Sequence, residues 1–198
     1  EAFTNEAFFQ ENGLTKETAL TLFISNTYEF YWNTSASKIA SKMAKEHKKF
    51  WTNERLEKAK ALNMTPAQVY TLASIVHKET VKADERPRVA GAYLNRINQD
   101  MPLQADPTVI YAIKEKSGDF DQVIKRVGGS NLFVSSPYTT YINKGLPPGP
   151  IAMPDISAID AVLNAEKHNY IYFCADPSRP GYHSFETTYE AHLVNAKK

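Results

Sequence analysis

The segment Thr65-Pro-Ala-Gln-Val-Tyr-Thr-Leu-Ala-Ser-Ile-Val-His-Lys-Glu-Thr80 decides how this chain folds. Thr65 is a favourable helix N-cap, Pro66 suits the first helical position, and Gln68 completes a capping-box pattern. The apolar residues that follow recur at helical spacing, namely Val69, Leu72, Ala73 and Val76. We therefore predict a helix that begins at Thr65 and lays this apolar stripe against the core.

Glu79 lies on the same stripe, seven residues after Leu72 and three after Val76. Burial disfavours the charged form of a carboxylate, and a Glu that stays protonated near neutral pH can act as a general acid. The alternative is a structural Glu at the end of a core helix, paired with Lys78, Lys82 or a distant arginine. Structural ion pairs also perturb carboxylates, so the helix alone leaves both interpretations open.

The composition is that of an ordinary globular protein. The 198 residues suit one domain, or one domain plus a fragment, and 42% apolar content is enough to bury a core. A net charge of +1 argues against a nucleic-acid binder. The single cysteine, Cys174, excludes an intrachain disulfide and is predicted to be a buried, inert thiol on a strand.

Local patterns predict an α+β fold that is mostly helical, with a small antiparallel sheet and a long Pro/Gly-rich loop. Besides the helix at Thr65, we predict short helical segments within 1–22 and a long amphipathic helix from Ser35 or Ser37 to about Asn63. Further helices are predicted near 84–98, after Asp106 as N-cap with Pro107 next to it, and at 156–166. A last helix is predicted to begin with Thr187 and Glu190 as a capping box. Residues 22–32 are predicted to be extended, 117–155 to form the rigid loop, and 169–175 to pair with a strand near 181–185.

Several chemistries lack their signatures. The sequence has no Gly-x-Ser-x-Gly motif and no phosphate-binding glycine loop. Its five histidines do not have metal-ligand spacing, and His183 and His192 could share a metal only if the fold happened to bring them together. His77, two residues before Glu79, points to another face of the helix, exposed or at the rim of a site. We expect neither a metal nor an organic cofactor.

Four blocks carry a resemblance to a known family, at 25–30, 72–96, 101–111 and 136–154, and a closing stretch at 172–185 also fits. They resemble the YceG-like family of endolytic murein transglycosylases (MltG-type). Two positions depart from the family pattern, since His77 stands where a Glu is frequent and Thr139 where an Asn is usual.

The resemblance implies an activity and a set of roles. These enzymes cut the MurNAc-β-1,4-GlcNAc bond inside glycan strands of peptidoglycan, and the MurNAc 6-hydroxyl attacks its own anomeric carbon to give a 1,6-anhydro end. Glu79 is then the acid and afterwards the base, and Asn95 and Arg96 are expected to orient or charge-balance the site. The candidate substrate-binding residues are Tyr28, Glu29, Asn95, Gln104, Asp106, Thr108, Tyr138, Thr140 and Tyr141.

The resemblance also implies a domain arrangement and a location. Residues 1–22 are expected to be a stub or linker from a missing N-terminal LysM-like subdomain, and 23–198 the catalytic domain. The chain begins at Glu1 without a Met, and no run approaches the roughly 20 apolar residues of a membrane span. We expect action on the outer, periplasmic face of the bacterial cytoplasmic membrane, through an anchor absent from this chain. Peptidoglycan strands and cell-wall synthesis proteins are the expected partners, and nucleic acid is not.

Two other functions remain open on the same residues. A hydrolytic muramidase would use water as the nucleophile and need a second carboxylate, for which Glu29, Glu85 and Asp106 are candidates. A catalytically weak peptidoglycan-binding module would position synthesis enzymes and need no acid at all.

Overall fold

The computed structural model describes residues 6–124 and 126–197. Within these, the helices are α1 (Glu6–Glu11), α2 (Ala36–Phe50), α3 (Asn53–Ala61), α4 (Pro66–Glu79), α5 (Arg86–Asn98), α6 (Asp106–Ser117), α7 (Ile156–Leu163) and α8 (Tyr189–Ala196). Short 3-10 helices lie at Ala19–Leu22 and Gly129–Phe133. Strands β1 (Tyr172–Ala175) and β2 (His183–Glu186) pair antiparallel, with Phe173 opposite Phe185. The α+β prediction is confirmed.

Helix α4 lies at the centre of the core. Its capping box forms as predicted, because Thr65 Oγ1 accepts from the Gln68 backbone N–H and Gln68 Oε1 accepts from the Thr65 backbone N–H. Every residue from 69 to 76 is buried, and α5, α6 and α7 pack around the helix. The helix is therefore enclosed on all sides, not only along the predicted apolar stripe. Each fully buried aliphatic side chain here contributes about 1.5–3 kcal/mol.

The prediction of a single long helix up to about Asn63 is wrong, because the helix is interrupted at Trp51 and Thr52. Helix α2 begins at the Ser35 cap and ends at Phe50, and the Thr52 side chain then accepts from the Arg55 backbone N–H to start α3. Trp51 is buried at the break. A second N-cap and a buried tryptophan outweigh the continuous helical periodicity.

The N-terminal part packs against α2. Phe9, Leu14 and Leu22 form a small apolar cluster with Met43 and Ala44. The first five residues of the predicted stub lie outside the described residues. In the predicted extended segment at 22–32, Leu22 ends a 3-10 helix and residues 23–32 contain no helix. The Phe23 carbonyl accepts from Tyr70 Oη in α4 at 2.6 Å.

The two faces of α5 have different tasks. On one face, the Asn95 side-chain amide donates to the carbonyls of His168 and Tyr170, which fixes the chain just before β1. Gly91 on the same face lets this chain approach closely. Tyr93 and Arg96 point to the other side, toward the end of α4. Helix α5 thus anchors the small sheet through one face and places Tyr93 and Arg96 beside the end of α4 through the other.

The N-cap of the last helix lies one residue later than predicted. Thr188, and not Thr187, has the extended backbone of an N-cap and accepts from the Ala191 backbone N–H. After α6 ends, the described residues 118–124 and 126–155 contain one 3-10 helix and are otherwise irregular, as their Gly and Pro residues predict. No helix in the described part of the chain is long and apolar enough to cross a membrane.

The contact at Gly91 gives a stability prediction. An added Cβ would lie 2.4 Å from the Glu166 carbonyl oxygen and 2.7 Å from His168 Nε2. We expect Gly91→Ala to lower the free energy of unfolding by at least about 1 kcal/mol, because the backbone oxygen cannot swing away. Thermal unfolding would show this as a fall in Tm of about 2–4 °C or more.

Gly128→Ala is the matched control, since Gly128 is extended at φ 177° with open space around it. Its Tm should stay near that of the wild type. An unchanged Tm for Gly91→Ala would contradict the packing described here.

Candidate active site

A pocket of about 370 Å³ opens where α4 ends. Helices α4 and α5, the turn before α6, one residue of the Pro/Gly-rich loop and both strands form its walls. The lining residues are Glu79, Tyr93, Arg96, Leu103, Gln104, Asp106, Tyr141, Phe173, Cys174, Ala175 and His183. Acidic, basic, amide and phenol groups therefore converge on one cavity beside the predicted acid.

Glu79 is the last residue of α4 and is half-buried. Tyr93, itself buried, donates its hydroxyl to Glu79 Oε2 at 2.9 Å. Burial raises the pKa of the Glu79 carboxyl, while the Tyr93 hydrogen bond and, when its ring is protonated, the charge of His183 act in the opposite direction. The partial negative charge at the C-terminal end of a helix also disfavours ionisation. These conditions favour the protonated acid that the sequence predicts.

The alternative ion pair for Glu79 does not form in the described structure. None of the salt bridges among the described residues involves Glu79. Lys78 is exposed, and the ammonium of Lys82 lies over the Tyr182 ring. The geometry therefore favours an acid that is free to exchange its proton with a ligand.

Gln104 lies on the rim with a left-handed backbone, at φ 52°. Its side-chain oxygen accepts from Arg96 Nη1 at 3.2 Å, and the same nitrogen donates to the Leu103 carbonyl at 2.9 Å. Arg96 is buried, so it acts as an internal brace for this turn. A non-glycine residue in this conformation stores strain, as is common at functional sites.

Asp106 is not the N-cap of α6. The helix has Ala105 in that position, and no side chain caps it. The Asp106 carboxylate is instead exposed at the pocket, where Tyr141 Oη donates to its Oδ1 at 2.7 Å. The sequence pattern was displaced by one residue, and the difference leaves the carboxylate available to a ligand.

Three of the predicted substrate-binding residues are buried behind the pocket. Thr108 and Thr140 lie with their hydroxyl oxygens 2.8 Å apart, and Thr140 Oγ1 also accepts from the Ala105 backbone N–H. Tyr138 packs its ring on Tyr111, with centroids 4.6 Å apart. These side chains hold the loop against α6 and do not line the Glu79 pocket, and their predicted contacts with a substrate stay a prediction.

Three more predicted residues lie elsewhere. Asn95 faces a larger depression of about 790 Å³ on the other side of α5, and its amide is used to hold the chain before β1. Tyr28 and Glu29 line a third depression of about 690 Å³ that shares no residue with the Glu79 pocket. Tyr28 Oη donates to the Ile24 carbonyl at 2.8 Å, so the structure does not place this pair where it would close the cleft.

The two departures from the family pattern are both outside the pocket. His77 is half-buried, with Nδ1 3.4 Å from Asp155 Oδ2 and from Arg86 Nη2. Thr139 is buried, and its hydroxyl donates to the Val134 carbonyl at 2.7 Å. Neither side chain reaches the cavity that Glu79 lines.

The sequence reasoning missed a histidine in the site. His183 lines the pocket at the start of β2, and its Nδ1 lies 2.8 Å from Oε2 of the buried Glu85. His192 stacks on the Tyr172 ring, with centroids 5.5 Å apart. Both Glu85 and His183 stand in blocks that carry the family resemblance, which was the available signal.

The chemistry of the remaining lining residues excludes some roles. Cys174 is half-buried and lines the pocket, so the prediction of a buried thiol is corrected. Among residues 6–124 and 126–197, no group of three or more His, Cys, Asp or Glu could hold a metal ion. What the arrangement can do is bind polar groups and transfer protons between a protonated acid and neighbouring bases.

The sequence model of the YceG-like family matches residues 2–198. The chain belongs to the YceG-like family. Endolytic murein transglycosylase of Streptococcus pneumoniae (strain D39) is 38% identical over 117 residues, which are 59% of this chain and 21% of that protein. Endolytic murein transglycosylase of Bacillus subtilis is 39% identical over 108 residues, or 54% of this chain and 28% of that protein. The matched segments thus span less than a third of these curated relatives.

A solved structure shares the fold. The crystal structure of a yceG-like protein from Listeria monocytogenes aligns with a TM-score of 0.80 and 29% identity, over 98% of this chain and 65% of that chain. The family prediction is confirmed, and the mostly helical fold with a small antiparallel sheet is that of a YceG-like protein.

Burial of Glu79 gives a prediction for the pH dependence of stability. The unfolded chain loses this proton near a pKa of about 4.3, whereas the folded protein has a raised pKa. The stability that the group contributes is therefore full below the unfolded pKa and is lost as pH rises through the folded pKa. Glu79→Gln does not ionise and can still accept from Tyr93. We expect its Tm, relative to wild type, to rise between acid and neutral pH in calorimetry.

Glu54→Gln is the control, because Glu54 is exposed and its pKa is lowered by its hydrogen bond with Lys58. It should not show that rise. A Glu79→Gln difference that is flat or falls with pH would mean that the carboxyl is ionised at little cost in the folded state.

Proposed function

We propose that this chain is the catalytic part of an endolytic peptidoglycan lytic transglycosylase. It cuts the MurNAc-β-1,4-GlcNAc bond within nascent glycan strands and leaves 1,6-anhydro-MurNAc ends. The observation that carries the proposal is Glu79, a carboxyl whose pKa is raised by burial at the edge of a polar pocket. The names of the relatives from S. pneumoniae and B. subtilis support the same reaction class.

The reaction needs one carboxyl group in two roles. Protonated Glu79 gives its proton to the leaving GlcNAc oxygen as the C1–O4 bond breaks. The MurNAc 6-hydroxyl attacks C1 and releases its proton. By the end of the cycle this proton has returned the Glu79 carboxylate to its acid form. Because the nucleophile belongs to the substrate, an effective concentration on the order of 10⁵–10⁸ M replaces a nucleophile on the enzyme.

Tyr93 suits both halves of this cycle. Its hydrogen bond fixes the Glu79 carboxyl and stabilises the carboxylate that forms after the first proton transfer. Burial and the neighbouring Glu79 raise the pKa of Tyr93 itself, so its hydroxyl stays a donor throughout. The acid is thus held in one place while its charge changes.

The other pocket residues are suited to hold a sugar. Gln104 and Asp106 present an exposed amide and an exposed carboxylate at the rim, and Tyr141 supplies a ring beside them. Amide and carboxylate groups of this kind bind sugar hydroxyls and N-acetyl groups through hydrogen bonds. Arg96 braces Gln104 from inside and adds a positive charge near Glu79.

A hydrolytic muramidase is the second candidate, and Asp106 is the observation that favours it. Asp106 is a second carboxylate on the same pocket, as a glycosidase that uses water would require. The two other candidates are less suitable. Glu85 is occupied by His183, and Glu29 lies in a separate depression.

The substrate sets the proposed location. Peptidoglycan lies outside the cytoplasmic membrane, so we place the chain on the outer face, where strands emerge from synthesis. Glycan strands are the proposed partner, and proteins of cell-wall synthesis are the proposed neighbours at that place.

Digestion of purified, uncrosslinked glycan strands tests the proposal, with products identified by mass spectrometry. We expect wild-type protein to release internal fragments that end in anhydro-MurNAc. Glu79→Gln should lower the rate by at least about 100-fold, since a general acid contributes about 10²–10⁴-fold. Glu54→Gln, an exposed acid on α3, is the control and should retain the wild-type rate.

The products distinguish the alternatives. Reducing MurNAc ends that disappear in Asp106→Asn would identify a muramidase with Asp106 as its second carboxylate. Binding of strands by folded wild-type protein without any product would instead identify a binding module. Full activity in Glu79→Gln would remove the acid from both enzymatic mechanisms.

A further inference from the structure

Glu85 holds His183 through two separate oxygens. The His183 backbone N–H donates to Glu85 Oε1, and His183 Nδ1 lies at the same distance, 2.8 Å, from Glu85 Oε2. Glu85 is buried just before α5, and His183 begins β2. Because an ionised carboxylate only accepts hydrogen bonds, this contact places a proton on Nδ1.

Aromatic packing fixes the direction of the ring. Phe173 meets the His183 ring edge-on, with centroids 5.4 Å apart, and Phe185 lies 6.3 Å away at a steep angle. The ring hydrogen bond that the described structure shows uses Nδ1. The neutral ring therefore has its lone pair on Nε2, the nitrogen that remains for a ligand in the pocket.

We propose that His183 is a second catalytic residue, whose Nε2 takes the proton of the hydroxyl that attacks the anomeric carbon. This inference rests on the proposed function and adds a proton carrier to it. Glu85 is a positioning residue, which acts through the tautomer and direction of the His183 ring.

The proton transfers balance. As the C1–O4 bond breaks, the Glu79 proton moves to O4 of the leaving GlcNAc. As the O6–C1 bond forms, the O6 proton moves to His183 Nε2. The site then holds an imidazolium and a carboxylate, and the proton passes from Nε2 to Glu79 through solvent before the next turnover.

The charges of the pocket favour that intermediate state. His183 is close enough to Glu79 for its positive charge to lower the pKa of the carboxyl. A proton gained by His183 thus stabilises the carboxylate that Glu79 has just become. The pocket therefore contains an acid and a base, and the charge that each gains stabilises the charge on the other. This arrangement suits both proton transfers.

The two contacts of Glu85 make a sharp test possible. In Glu85→Gln, the side-chain oxygen must serve the His183 backbone N–H, which can only donate. The amide NH₂ then faces Nδ1 and donates to it, which moves the ring proton to Nε2. The fold is kept, and the lone pair that the proposal requires is removed, as when an orienting carboxylate of a catalytic triad becomes an amide.

The experiment combines nitrogen NMR of ¹⁵N-histidine-labelled protein with the glycan digest. We expect the wild-type ring to carry its proton on Nδ1 and the Glu85→Gln ring to carry it on Nε2. We expect kcat to fall at least about 100-fold in Glu85→Gln and in His183→Asn, with KM changed by no more than about threefold. His183→Asn keeps a donor for Glu85 but lacks Nε2, and it assigns the His183 signals.

Two controls separate chemistry from structure. Glu166→Gln removes a surface acid that pairs with Arg88 near the same helix, and it should retain wild-type kcat. Imidazole added to His183→Ala should restore part of the lost rate, which a purely structural histidine would not predict. The Tm of Glu85→Gln and of His183→Asn should stay close to that of the wild type.

The possible outcomes separate this inference from the proposed function. A wild-type ring protonated on Nε2, or near-normal kcat in folded His183→Asn while Glu79→Gln is inactive, would overturn this inference and leave the proposed function intact. Absence of product from wild-type protein would overturn the proposed function and the role of His183 with it.

Discussion

The enclosure of α4 on every side is the constraint on which the rest of the structure depends. Residues 69–76 are buried in succession between α5, α6 and α7, so the helix cannot turn or slide without opening the core. Its last residue, Glu79, is therefore held at one position. The same burial that fixes this position removes water from the carboxyl and raises its pKa. The position of Glu79 and its raised pKa therefore have a single physical cause.

Three carboxyl groups around the pocket occupy three different environments. Glu79 is desolvated and accepts one phenol hydrogen bond, Asp106 is exposed beside Tyr141, and Glu85 is buried with both oxygens used by a histidine. Of these three groups, Glu79 has its pKa raised by burial, and burial of this kind is how enzymes prepare a carboxyl to act as an acid. The pocket contains the means for directed proton transfer within a few side chains, without a metal cluster among the described residues.

Much of the fold could be predicted from local patterns. The capping box of α4, the breakers of 117–155 and the two paired strands each follow from short-range chemistry, and the structure contains all of them. The errors are also local. Helical periodicity continues through the break at Thr52, and the caps predicted at Asp106 and Thr187 lie one residue away, at Ala105 and Thr188, because local patterns locate helix ends only to within one or two residues.

The sequence by itself determined where α4 begins, that Glu79 ends it on a buried face, and which family the motifs resemble. Only the tertiary structure decided which polar residues face the pocket. Thr140 and Tyr141 are adjacent in the same loop, yet one is buried against α6 and the other lines the cavity. The contact between Glu85 and His183 joins positions 98 residues apart. Local spacing defines helices and turns through short-range hydrogen bonds, whereas such distant contacts depend on how the finished elements pack together.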